Sequence, residues 1–62
     1  YLMNVHFAYS QRINDTHYLD VCIIDGVMKT FLMHKIEEPN VFGVLKEEDG
    51  DTRNTIIEYV PK

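Results

Sequence analysis

The first two predicted strands carry one possible nucleophile, base and orienting group. Cys22 supplies a thiol, His6 an imidazole and Asp20 a carboxylate, which are the groups that activate a nucleophile in covalent catalysis. All three fall on one sheet face if Phe7 pairs with Leu19. A flat sheet face offers no oxyanion donors and does not exclude water. We therefore interpret the trio as a cross-strand His–Asp contact beside a small apolar cysteine, and we predict no enzyme and no catalytic residue.

The three histidines are the natural candidates for metal ligands. Structural zinc takes four N, S or O ligands, typically in closely spaced pairs, whereas His6, His17 and His34 are scattered along the chain. If residues 27–36 form a strand, His17 lies opposite His34 and two ligands converge, but the others must come from elsewhere. We predict no metal site, no cofactor, and folding that requires neither a metal nor a disulfide.

Carboxylates surround Gly50 at a predicted hairpin tip. An EF-hand calcium loop needs a glutamate six residues after its glycine, and that position holds Ile56. Two further glutamates end the predicted helix, where acidic groups oppose the helix dipole. These groups are solvated and together form a predicted acidic patch for a basic partner. The patch comprises Glu37, Glu38, Glu47, Glu48, Asp49 and Asp51.

Length and composition limit the class of protein. The chain has 62 residues, a net charge of −4, 45% hydrophobic residues and 26% charged residues, which is typical of one small folded domain over residues 1–62. A longer chain from which this domain was excised is equally compatible with the sequence. Cys22 is the only cysteine, which favours a reducing, cytoplasmic location. No apolar run is long enough for a membrane span, and no basic stripe suits duplex nucleic acid.

Alternating apolar residues predict two strands at the start of the chain. Residues 1–9 and 16–24 each place a strongly apolar set on one face, and the polar run 10–15 predicts a loop between them. Pairing Phe7 with Leu19 matches the two apolar sets. This antiparallel register is the one that brings the thiol, the imidazole and the carboxylate onto one face.

An amphipathic helix is predicted for residues 27–38. Apolar residues recur there at helical spacing, good helix formers dominate, and Pro39 prevents continuation. However, Asp25 and Gly26 are also typical of a type I′ hairpin turn, which leaves a third strand over 27–36 as the alternative. The side chains predicted to pack on the sheet are Met28, Phe31, Leu32 and Ile36.

Residues 41–47 and 53–60 are predicted to form a second hairpin. One register pairs Phe42 with Tyr59, and the same register brings Val44 beside Ile57 and Leu45 beside Ile56. The predicted order is β-β-α-β-β, an α+β domain with one helix packed on a four-stranded, mostly antiparallel sheet. The alternative is an all-β five-stranded meander or small barrel.

The sheet face away from the predicted helix keeps an apolar set, whereas a solvated face should be polar. Exposed apolar surface of this size marks an interface. We therefore predict a non-catalytic protein-interaction module, acting as a homodimer or as a small inhibitor or adaptor bound to a larger partner. The predicted interface residues are Leu2, His6, Tyr18, Asp20, Ile24, Ile57 and Tyr59.

Two other functions remain as alternatives. A single-stranded nucleic-acid binder would use Tyr18, Phe42 or Tyr59 as stacking platforms, although the acidic net charge opposes phosphate binding. A small metal- or Cys/His-dependent enzyme would be built on the trio of His6, Asp20 and Cys22.

Overall fold

The computed structural model describes residues 4–37 and 39–61. Four strands follow one another in an antiparallel meander with the sheet order β1-β2-β3-β4. One helical turn, α1, then runs into a 3-10 turn, Ile57–Tyr59. The bounds are Val5–Arg12 for β1, His17–Ile24 for β2, Val27–Glu37 for β3, Val41–Asp49 for β4 and Arg53–Ile56 for α1.

The four-stranded antiparallel sheet with its minor helix is broadly of the α+β class. The observed order is β-β-β-β-α, so the predicted β-β-α-β-β order is wrong. Leu2 and Glu38, which belong to the predicted interface and acidic patch, lie outside the described residues. No helix in the described part of the chain has the length and apolar content needed to cross a bilayer.

The segment predicted as a helix is β3, so the helix prediction is wrong. Asp25 and Gly26 both adopt positive φ, 51° and 83°, as a type I′ turn requires, and the strands resume with Ile24 opposite Val27. β3 is a central strand with apolar side chains on both faces: Leu32 on one and Phe31 on the other. A strand that is apolar on both faces cannot be told from a helix by periodicity.

The predicted register of the first hairpin is also wrong. Phe7 lies opposite Cys22, and the register shifts between Phe7 and Tyr9. This β-bulge leaves Ala8 unpaired and reverses the alternation. Phe7 and Tyr9 consequently point to opposite faces, although the simple period of two places them together. His6 lies opposite Ile23 and not opposite Asp20.

Residues 53–59 of the last predicted strand, 53–60, are helical, so the second hairpin does not form. The Ile56 amide donates to the Thr52 carbonyl at 2.9 Å, which closes the turn of α1. The Ile56 side chain is fully buried against the sheet. Together with Leu19, Val21 and Leu32 it forms the core, which Ile13 and Val60 flank.

The sheet therefore has two different faces. The covered face packs against α1 and presents Leu19, Val21, Thr30 and Leu32. No described segment packs on the opposite side, which we call the open face. Strand alternation and the observed registers assign to it Val5, Phe7, Ser10, Arg12, Tyr18, Asp20, Cys22, Ile24, Val27, Lys29, Phe31, Met33, Lys35, Phe42, Val44, Glu47 and Asp49.

Candidate functional site

One end of the open face is a shallow aromatic hollow. Tyr18 and Phe42 meet edge to face there, with ring centroids 5.0 Å apart and an interplanar angle of 84°. The hollow has a volume of about 220 Å³, and Met33, Ser10 and Asp20 complete its lining. Its floor is apolar and its rim is polar, an arrangement that can receive one large apolar side chain from another molecule.

Phe7 is the most exposed large apolar side chain of the open face. It keeps 69% of its surface in water because β1 is an edge strand and only Cys22 lies directly opposite. Val5, two residues earlier on the same face, is also exposed. The open face thus carries a protruding aromatic group towards one end and a hollow towards the other.

The polar groups of the open face have partners close by. Arg12 Nη1, at the edge of this face, donates to Asp15 Oδ1 of the adjoining loop at 3.4 Å. The Ser10 hydroxyl donates to Asp20 Oδ1 at 2.8 Å. Lys29 Nζ donates to Glu47 Oε2 at 2.8 Å and lies 3.6 Å from Asp49 Oδ1. The hydrogen bond to Glu47, followed by the attraction of its charge, raises the pKa of Lys29 and keeps the ammonium protonated. Burying an ion is costly mainly when the ion is left without a partner. Covering this face would leave few charges unpaired, so that cost would be small.

The candidate catalytic trio is not assembled among the described residues. His6 is exposed opposite Ile23, so its side chain belongs to the covered face, whereas Asp20 and Cys22 belong to the open face. Cys22 is only 4% exposed. Burial, and secondly the charge of Asp20, raise the pKa of its thiol, which disfavours the thiolate that nucleophilic chemistry needs.

His17 and His34 do lie opposite each other on β2 and β3. Their ring centroids are 6.3 Å apart and the rings are inclined by 29°. This pairing is the one expected if residues 27–36 form a strand. Within residues 4–37 and 39–61, no group of three or more His, Cys, Asp or Glu side chains is placed to hold a metal ion.

The predicted acidic patch is dispersed in the structure. Glu47 and Asp49 flank Lys29 on the open face, whereas Asp51 accepts two bonds of 2.9 Å from the Arg53 guanidinium. These bonds lower the pKa of Asp51 and raise that of Arg53. Glu48 belongs to the covered face, where the Thr55 hydroxyl donates to it at 3.5 Å. Glu37 ends β3 eight residues beyond Lys29, about 26 Å away along the strand.

The predicted interface is partly placed on one surface. Tyr18, Asp20 and Ile24 lie on the open face, while His6 belongs to the covered face because of the bulge. Ile57 and Tyr59 belong to the 3-10 turn on the covered side, where Lys46 Nζ stands 4.6 Å from the Tyr59 ring centroid. Sequence reasoning missed Phe7 and Met33 as members of the open face. Alternation in β1 placed Phe7 with Tyr9 on the face predicted to receive the helix, and only the bulge separates the two.

A second concavity, of about 430 Å³, lies between β1 and the segment around α1. The Arg53 guanidinium crosses it, 4.2 Å from the Tyr9 ring centroid, and is held by Asp51 as described above. One face of this guanidinium therefore lies over the Tyr9 ring, and one edge is hydrogen-bonded to Asp51. Its lining residues are Tyr9, Gln11, Leu19, Asp51, Arg53, Asn54 and Ile57.

Neither a model of a known protein family, nor a curated protein, nor a solved structure matches this chain. Among the described surfaces, the open face combines a hollow, a protruding phenylalanine and paired charges.

Proposed function

We propose that the chain is a non-catalytic protein-interaction module that associates through its open face, with a second copy of itself as the partner. In this assembly the two sheets stack face to face, as in a β-sandwich with about 10 Å between the sheets. Each copy keeps its α1 layer on the outside.

The observation that carries this proposal is the composition of the open face. Its apolar side chains outnumber its polar ones, and its carboxylates have partners within the same face, whereas Arg12 pairs with Asp15 in the adjoining loop. A solvated antiparallel sheet has a polar outer face, so leaving this surface in water gains nothing for a monomer and risks aggregation. Covering it removes apolar area from water with little uncompensated desolvation of charge.

The shape of the open face favours a second copy as the occupant. Phe7 protrudes at one end, and the hollow beside Tyr18 lies towards the other. A two-fold axis between them lets Phe7 of each copy enter the hollow of the other, so that both sites are satisfied at once and the assembly closes. The Cα atoms of the whole domain span 33 × 27 Å in the two longer directions, so one sheet face is broad enough to hold an interface of the standard size, roughly 800 Å² per partner.

Self-association can be measured by sedimentation equilibrium over a wide range of protein concentration. The wild type should dimerise, and Phe7→Lys should weaken the dimer at least 30-fold, which corresponds to about 2 kcal/mol for a central anchor. Ile36→Lys is the matched control. Ile36 is 61% exposed and packs towards Gly43 on the covered side, so this variant should dimerise like the wild type.

Tyr18→Lys tests the hollow from the opposite side. It places a charge where Phe7 of the second copy should insert, and it should weaken association to a similar degree. A wild type that stays monomeric at millimolar concentration would overturn the second copy as the occupant. A dimer that Phe7→Lys and Tyr18→Lys leave intact would overturn the open face as the interface.

Single-stranded nucleic acid remains the second-ranked occupant. Tyr18 and Phe42 supply aromatic surface, but their perpendicular rings do not form a flat stacking platform. Lys29, the cation nearest the centre of this face, is bound by carboxylates.

We also propose a reducing, cytoplasmic setting, which a single buried cysteine supports.

A further inference from the structure

We infer that His17 and His34 form a chelating site for a divalent transition-metal ion that prefers imidazole, such as Cu²⁺, Ni²⁺ or Zn²⁺. The site lies at one end of the covered face and is independent of the proposed association through the open face. It would hold the ion between two strands of the sheet, with water in the remaining coordination positions.

The backbone places the two histidines at the closest kind of cross-strand position. The Lys35 amide donates to the Thr16 carbonyl at 2.8 Å. This bond joins the residue after His34 to the residue before His17, which makes His17 and His34 a non-hydrogen-bonded pair. In such pairs the Cα atoms are about 4.5 Å apart and the side chains approach more closely than at hydrogen-bonded positions.

The ring separation is close to what shared coordination requires. Metal–nitrogen bonds of about 2.0–2.1 Å place two imidazoles on one ion with centroids no more than roughly 6 Å apart. The observed separation of 6.3 Å reaches this range after a small rotation of one side chain. His34 Nε2 lies 3.5 Å from the position that a Cβ on Gly43 of β4 would occupy, so the ring leans towards β4 and the required rotation turns it back towards His17 on β2.

The loop before β2 sets the His17 ring for metal binding. His17 Nδ1 lies 2.8 Å from Thr16 Oγ1 and 3.3 Å from Asn14 Oδ1. Asn14 Oδ1 also accepts the backbone amides of Thr16 and His17 at 2.9 and 2.8 Å, which fixes the acceptor in place. A proton on Nδ1, directed to these oxygens, leaves the Nε2 lone pair for the ion. A second partner of this kind is typical of metal-binding histidines.

Two protein ligands give a weaker site than the four of structural zinc. The order of affinity should follow the general preference of nitrogen ligands, in which Cu²⁺ binds more tightly than either Ni²⁺ or Zn²⁺. An ion that binds the folded chain and not the unfolded chain raises the melting temperature, and the rise grows with the ion concentration. Any surface imidazole would share this order, so the loss of binding on removal of either His17 or His34, with His6 unaffected, is what distinguishes a chelating pair from scattered surface binding.

The test is a series of melts of the full chain in EDTA and in increasing CuCl₂, NiCl₂ or ZnCl₂. The wild type should be stabilised with rising metal concentration, most strongly by Cu²⁺. His17→Gln and His34→Gln should each lower the affinity at least tenfold. His6→Gln is the matched control because His6 lies on β1, away from the pair, and it should bind like the wild type. Cys22→Ser should also keep the site, which separates imidazole from thiol binding.

A second measurement does not depend on the variants being folded. Paramagnetic Ni²⁺ added to the wild type should broaden the ring resonances of His17 and His34 first, and those of His6 only at much higher concentration. Equal broadening of all three histidines would overturn the site. So would metal stabilisation that survives both His17→Gln and His34→Gln, or a wild type that no millimolar ion stabilises.

Discussion

Thr30 is a fully buried polar side chain at the centre of β3, and its hydroxyl ties the sheet to the loop before α1. Oγ1 donates to the Gly50 carbonyl at 2.6 Å and accepts the Thr52 amide at 2.9 Å. Both backbone groups need partners, because an unpaired buried amide or carbonyl costs about 1–3 kcal/mol. One hydroxyl thus satisfies the turn in which Gly50 adopts a φ of 81° and which leads the chain onto the covered face.

Replacing Thr30 with valine tests this connection, because valine has the same shape without the hydroxyl. We expect Thr30→Val to lower the free energy of unfolding by about 2–3 kcal/mol, since it leaves the Gly50 carbonyl and the Thr52 amide unpaired. Thr30→Ser is the control that keeps the hydroxyl and loses one methyl group, at a cost of about 1 kcal/mol. Urea unfolding measures both. A valine variant as stable as the serine variant would contradict the connection.

Individual residues were predicted well where they depend only on alternation within one strand. Tyr18, Asp20 and Ile24 share a face as expected, and His17 meets His34 once β3 is a strand. His6 was misplaced because the bulge at Ala8 shifts the register, and no residue type near Ala8 marks a bulge. The acidic patch failed for a different reason: its members belong to opposite faces and to both ends of β3.

At the scale of elements, the segment predicted as a helix forms strand β3, and the segment predicted as the last strand forms α1 and the 3-10 turn. β3 has residues typical of a helix, but hydrogen bonding to β2 on one side and β4 on the other outweighs this local preference. Residues 53–60 have β-branched residues, but Ile56 and Val60 are spaced one helical turn apart and both pack on the core. Local propensity differs between the two states by fractions of a kcal/mol per residue, so tertiary packing decides.

The packing prediction for Phe31 changes with this exchange. Phe31 was expected to anchor a helix on the sheet, but it lies half-buried on the open face. The first two strands could be predicted because alternation is a local signal. The Asp25–Gly26 turn was only the alternative, because the same two residues can also begin a helix. The position of the helix could not be predicted, because it depends on which segment packs its apolar side chains against the core.

Ile56 is the side chain that attaches α1 to the sheet, so Ile56→Ala tests this element. It is fully buried, and its truncation should cost about 2–5 kcal/mol through lost burial and a cavity. For a domain of this size this cost lowers the melting temperature by more than about 10 °C. Ile57→Ala is the control, because Ile57 is 38% exposed and should cost well under half as much. Circular dichroism melts compare the two, and equal losses would contradict the anchoring role of Ile56.

At the scale of the whole molecule, the domain is thin and its core is small. The Cα atoms extend only 15 Å in the shortest direction, which is one sheet and one turn of helix. Four side chains, Leu19, Val21, Leu32 and Ile56, form the buried cluster. On folding, a chain of 62 residues buries a smaller fraction of its surface than a larger domain does. Association through the open face would therefore add stability, and the melting temperature should rise with protein concentration.

We expect neither a disulfide nor a metal to contribute to the stability of the free chain. Cys22 is the only cysteine, and it packs as a small apolar side chain on the sheet. The pair of His17 and His34 supplies two ligands, half of what a structural zinc site uses, so folding should not require an ion even though an added ion can bind.

Melts in EDTA, in reductant and in plain buffer should therefore superimpose. The protein concentration must be held constant, because dimerisation shifts the melting temperature by mass action. A fall of more than about 5 °C in EDTA, roughly 1 kcal/mol for a domain of this size, would show that a metal belongs to the folded state. The same fall in reductant alone would point to a disulfide between two copies through Cys22.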